Sequence, residues 1–184
     1  MRPRKTIRWA IDHRPARDAI FLVMIAFSVK FFDNAISSQS YSLVYLLMMS
    51  VIGIPLSAMI GVLVLYAIGF LHTLIGEALG GVGDSRSLRT AFAWSTLPVI
   101  CCFPVTLVFL ALVYLFPTFL SLPDLILNTP FLILFAWGIV IQVAGISAAH
   151  EFSILRAIFT FVLSIVIGGL AMGIAVQGAI MLTT

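Results

Sequence analysis

Long apolar runs make up most of this chain, and one short polar island between two of them constrains how they are arranged. The island is Gly80-Gly81-Val82-Gly83-Asp84-Ser85-Arg86-Ser87-Leu88-Arg89, followed by Ala93-Trp94-Ser95-Thr96-Leu97-Pro98. Of 184 residues 62% are hydrophobic and 9% charged, and the mean hydropathy is +1.20. So few charged side chains do not cover the surface of a soluble protein, so the chain reads as an integral membrane protein. Each crossing needs about 20 predominantly apolar residues, and the length suits a single helical bundle.

The first span is expected over 16–36, with Lys30 and Asp33 three residues apart near its far end, where they can pair and snorkel. The next run, 43–78, has 36 residues and as one straight helix would be about 54 Å long. Gly53 and Pro55 offer a break, since proline removes a backbone donor and clashes with the preceding turn. On that reading 41–53 is interfacial or partly buried and 54–78 is the second span. The third span, 91–115, contains Pro98 and Pro104 and is expected to kink. A loop over 116–129 carries no lysine or arginine, and 130–149 and 157–182 form the fourth and fifth spans. The expected fold is an all-α integral membrane bundle of five transmembrane helices, the second long or broken and the third kinked by prolines. Residues 1–15 form a basic cytosolic or interfacial segment before the membrane domain of 16–184.

Charge supports this count. Six of the ten basic residues (Arg2, Arg4, Lys5, Arg8, Arg14, Arg17) precede the first apolar run, which marks a membrane-orienting segment rather than a nucleic-acid surface. Five crossings place nine of the ten on one side and leave Lys30 opposite, satisfying the positive-inside rule. The N-terminus is then cytosolic and the C-terminus outside. The apolar run 19–29 leads into Lys30 and Asp33 without a small-residue cleavage site, so the start is expected to stay in the mature protein. Within it Ile7, Ala10 and Ile11 share one helical face, with Trp9 near the border, as in a short helix lying in the interface. Cys101 and Cys102 read as buried thiols, adjacent and in an apolar run.

Four polar residues are candidates for an intramembrane role: His72, Glu77, Gln142 and Gln177. His72 shares a face with Gly69, Gly76 and Gly80, Gln142 lies near Gly138 and Gly145, and Gln177 lies one turn from Gly173. Small residues mark close helix contacts, so these polar groups read first as interhelical hydrogen bonds and second as the lining of a path. Gly80, Gly81, Gly83, Asp84, Arg86, Arg89, His150, Glu151 and Arg156 are candidates for contact with a partner or with anionic headgroups. The charged members, with Glu77, are expected to gather at the cytosolic span ends, where ion pairs would pin the loops. Gly80 or Gly81 suits a left-handed helix cap, and Asp84 or Ser85 suits the N-cap of the next helix.

Other chemistries fit less well. The island lacks the third glycine, the lysine and the preceding strand of a phosphate loop. His72, Glu77, His150 and Glu151 lack metal-site spacing. Gly145-Ile146-Ser147-Ala148, with His72 as base, would make a hydrolytic pair, but no oxyanion donor can be named. No cofactor, metal or catalytic residue is expected.

Three segments together resemble the Ypt-interacting-protein (YIP) domain family in its short bacterial form. They are Arg2-Pro3-Arg4-Lys5-Thr6-Ile7-Arg8 with Arg14-Pro15; Gly80-Gly81-Val82-Gly83 running into Leu88-Arg89 and Ala93-Trp94-Ser95-Thr96-Leu97-Pro98; and Trp137 followed by His150-Glu151-Phe152-Ser153 and Arg156-Ala157. The resemblance implies five spans and a cytosolic N-terminus, and it implies no catalytic residues. Family members in eukaryotes are linked to Rab-type GTPases and vesicle traffic. The long cytosolic N-terminal region of those members is not expected here, so that partner is not carried over and a bacterial inner membrane is the expected location. The expected function is that of a non-enzymatic scaffold or membrane-organising protein. Its expected partners are membrane lipids, anionic headgroups among them, a further copy of itself or a membrane-complex subunit. The alternative is a small transporter or channel subunit whose path is lined by His72, Gln142 and Gln177, with oligomerisation through Gly169 and Gly173.

Overall fold

A computed structural model of the chain describes residues 3–37, 43–116 and 123–183, and among them it is all-helical. The helices are α1 (Pro3–His13), α2 (Ala16–Ser37), α3 (Leu43–Ala78), α4 (Ser85–Ser95), α5 (Leu97–Leu115), α6 (Asp124–Ala149) and α7 (Ile154–Thr183). Four stretches of the described residues are long and apolar enough to cross a membrane: Ser50–Ala78, Ser85–Phe109, Leu127–Ala149 and Ile154–Ala171. The protein is therefore an integral membrane protein. Residues 38–42 and 117–122, which include the start of the expected interfacial segment and part of the loop without basic residues, lie outside the described residues.

The expected break at Gly53 and Pro55 does not occur, because α3 runs unbroken through both. Gly53 serves contact instead. A Cβ there would strike the Phe31 ring of α2, and one at Gly61 would lie 2.8 Å from Phe27 Cγ. Phe27 and Phe31, one turn apart, thus sit over two glycines two turns apart on α3. Where lipid is as apolar as the side chains, close packing of this kind holds helices together better than burial of apolar area does.

The expected kink in the third span is sharper than a bend. The helix stops at Ser95 and restarts at Leu97, with Thr96 between them and Pro98 at the start of the new helix. Pro98 has no N–H to give the preceding turn. Ser95 Oγ donates to the Phe92 carbonyl at 2.6 Å and Thr96 Oγ1 to the Ala93 carbonyl at 2.7 Å, which satisfies groups near the interruption. Pro104 lies inside α5 without ending it. The apolar span therefore starts at Ser85, ahead of the expected 91. Cys101 is exposed and Cys102 half-buried, so the buried-thiol reading fails for Cys101. Neighbouring residues on a helix face directions about 100° apart and do not share one environment.

Candidate functional site

The glycine island folds around a histidine. At the end of α3, Gly80 takes φ +83. Its N–H donates to the Glu77 carbonyl at 2.9 Å and that of Gly81 to the Gly76 carbonyl at 2.8 Å. This pair of bonds is the Schellman motif, which needs a left-handed residue that glycine adopts without strain. Asp84 then caps α4, accepting the Ser87 N–H at 3.0 Å, and hydrogen bonding by Ser87, from its hydroxyl first and its N–H second, holds the carboxyl below the usual range.

His150, at the end of α6, is 1% exposed. The Gly83 N–H donates to its Nδ1 at 3.0 Å and its Nε2 bonds the His72 carbonyl at 3.1 Å. A backbone N–H can only donate and a carbonyl only accept, so the ring is neutral with its proton on Nε2. Burial lowers its pKa, against smaller opposing effects of the His72 carbonyl and Glu77. A Cβ on Gly76 or Gly81 would run into this ring, and one on Gly83 would lie 2.8 Å from the Ala149 carbonyl oxygen. The glycines are the mould of the imidazole, and the Val82 N–H bonds the His150 carbonyl at 3.3 Å to close the loop onto α6.

Helix α1 docks at the same end. Ile7 and Ala10 are buried, and Ile11 packs against the cluster of Leu88, Ile146, Ala149, Phe152 and Ala157. Arg8 donates to the Ala148 carbonyl at 2.8 Å and to Glu151 Oε1 at 2.5 Å, while Arg4 reaches the Ser147 carbonyl at 3.5 Å. These cations meet the unsatisfied carbonyls where the α6 dipole is negative. The bond to Glu151 raises the Arg8 pKa. Glu151 itself has φ 58, a left-handed turn that redirects the chain into α7.

The expected contact residues therefore divide. Asp84, Arg86, Glu151 and Arg156 are exposed at this end of the bundle, and so is Glu77, expected as an intramembrane polar group. His150 is an interior pin and not a contact group. Arg89 is drawn away as well: its stem fills the space left by Gly69 and its guanidinium lies 4.5 Å from the centroid of the Tyr66 ring. Among the described residues, these charged groups form no ion pairs with one another, and the pinning falls to His150 and to the Arg8–Glu151 pair. Ser147 is 0% exposed, and its hydroxyl donates to the Phe152 carbonyl at 2.8 Å, so it is not poised as a nucleophile. Among the described residues no three of His, Cys, Asp and Glu gather as a metal site would require.

Deeper in the bundle, helices α2 to α7 line a half-open cavity of about 960 Å³. His72 and Gln142 are both buried and both line it. The Gln142 side-chain amide and the Ser95 hydroxyl are hydrogen-bonded across the α4–α6 contact. Gln177 does not line the cavity and is exposed. It lies eight residues beyond Gly169, about 12 Å further along α7. Two groups on this wall escaped the sequence reading: Ser95 with Thr96 at the helix interruption, and the coupling of the Lys30–Asp33 pair (3.2 Å) to α5 through Thr106 Oγ1, which donates to Asp33 at 2.6 Å. Proline two residues after a serine–threonine pair was the available signal for the first.

A family model of the Yip1 domain matches residues 1–175. No curated protein and no solved structure matches the chain.

Proposed function

The chain belongs to the Yip1 domain family, and from that premise we propose that it is a non-enzymatic membrane-organising protein of five spans, with α2 as the fifth crossing beside the four apolar ones. The end holding α1, the glycine loop and the α6–α7 turn faces the cytosol of a bacterium with the protein in its inner membrane; the C-terminus lies outside. Positive charge at that end supports this orientation. One observation carries the reading. Two loops and a terminal helix are locked together by His150 and Arg8, which presents Asp84, Arg86, Glu151 and Arg156 on a fixed platform suited to a protein or an anionic headgroup.

The test is affinity purification in mild detergent of the wild type and an Arg86→Ala/Arg156→Ala variant, with identification of retained proteins and lipids. The platform reading expects a retained component that the variant loses. A lone monomer, identical in both, refutes it.

The cavity beside His72 and Gln142 supports a second reading as a small carrier or channel subunit, since broken helices in membranes expose polar groups to a substrate. A flux assay in vesicles tests it, and equal leak with and without the protein rejects it.

A further inference from the structure

The cavity's shape and lining restrict what it can hold. Its wall follows one face of α6 from Asn128 to Gln142, fourteen residues or about 21 Å. Between those ends the lining is mainly apolar, with Ile68 on α3, Val99 on α5, Phe135 and Ile139 on α6 and Ile165 on α7, and the Ser164 hydroxyl there is spent on the Thr160 carbonyl. Water does not fill such a space, because it needs two to four polar partners. The volume lies at the upper end of the roughly 300–1,000 Å³ of ligand pockets. The cavity sits at hydrocarbon depth, and Leu132 and Phe135 on its wall are exposed, so the bilayer itself supplies what enters.

The polar groups define the head. His72 lines the cavity at 2% exposure. Its Nδ1 has no hydrogen-bond partner, an omission that is costly inside a membrane. A neutral imidazole offers one donor and one acceptor, and the Ser95–Gln142 pair stands on the same wall. At the other end Lys30 and Asp33 neutralise each other at 3.2 Å, so no charge is left to hold an ionic head.

We infer that the cavity is a binding site for a long-chain amphiphile, one extended hydrocarbon chain bearing a small uncharged hydrogen-bonding head that His72 and the Ser95–Gln142 pair receive. The inference rests on the cavity and not on transport, which the flux assay examines separately, and it is independent of the cytosolic platform.

The full chain in phosphatidylcholine vesicles is photolabelled with a diazirine-bearing hexadecanol, and adducts are mapped by mass spectrometry. Labelling of α6 between Asn128 and Gln142 is expected to saturate and to be displaced by unlabelled hexadecanol. Gly169→Phe should fill the cavity, since a side chain there meets open space on its wall, and should cut this labelling by about tenfold. Gly173→Phe, also in open space but off the wall, should leave it unchanged and serves as the control for folding. His72→Leu should weaken competition by hexadecanol but not by hexadecane. Labelling that does not saturate, or that survives Gly169→Phe, overturns the site. Hexadecyl phosphate competing better than hexadecanol overturns the uncharged head.

Discussion

Gly76→Ala tests the mould around His150 most directly, because its sign should depend on a residue 74 positions away. In an unobstructed helix this exchange stabilises by roughly 0.5–1 kcal/mol, since alanine loses less backbone freedom than glycine on folding. Here the three atoms nearest to the added Cβ are Nε2, Cε1 and Cδ2 of His150, all of one ring. The ring must leave its seat. The buried Gly83 N–H then loses its acceptor, at a cost of about 1–3 kcal/mol. The His72 carbonyl suffers less, because as an interior residue of α3 it keeps its helical bond. Set against that gain, the net expectation is a destabilisation of about 1 kcal/mol in the wild type. In a His150→Ala background the obstacle is gone and the same substitution should stabilise by roughly 0.5–1 kcal/mol, giving a coupling of about 2 kcal/mol. Unfolding by SDS titration in mixed micelles, followed by tryptophan fluorescence, reads all four proteins of the cycle. Equal effects of Gly76→Ala in the two backgrounds would refute the mould.

Burial holds the His150 pKa below its ordinary 6.5, so as pH falls below that value the unfolded chain takes up the proton first. Stability should be level above pH 6.5 and decline below it, and His150→Ala should flatten the profile. Asp84→Ala removes the α4 cap and should cost about 1 kcal/mol in the same titration. Because the native Asp84 carboxyl is held below 3.8, the wild type keeps this contribution above that pH and loses it progressively beneath. Arg8→Ala should loosen α1, seen as faster thiol labelling of an Ile7→Cys reporter; labelling as slow as with Arg8 present would deny Arg8 its docking role. Glu151→Gly relieves the left-handed strain, roughly 0.5–1 kcal/mol, but loses an exposed pair worth about 0.2–1 kcal/mol. Its unfolding midpoint should therefore barely move. A Ser95→Ala/Gln142→Ala cycle should return a coupling of about 0.6 kcal/mol, the usual size of an interhelical hydrogen bond in membranes.

Much of this was legible along the chain. Apolar runs long enough to cross hydrocarbon identify a helical membrane protein, because a backbone in lipid must satisfy its own polar groups and a helix does so locally. The Gly80 cap, the Asp84 cap and the Lys30–Asp33 pair are settled within five residues, so local chemistry reveals them. The island, the Trp94 and Pro98 segment and the His150 connector also carried the family resemblance, later matched over residues 1–175.

What the sequence alone misplaced depends on partners far away in the chain. Gly53 looked like a breaker and is a contact surface, because Phe31 comes from another helix. His150 looked like a surface group and is a core pin. Arg89 looked free and lies along Gly69 over Tyr66, while Arg4 and Arg8 looked like orienting charge and cap α6. Gln177 has the composition of Gln142 but not its position, since only the latter reaches the cavity. Spacing reports which face of one helix a residue occupies. Which helix meets that face is fixed by packing among several, and here the glycines, by leaving room, decided it.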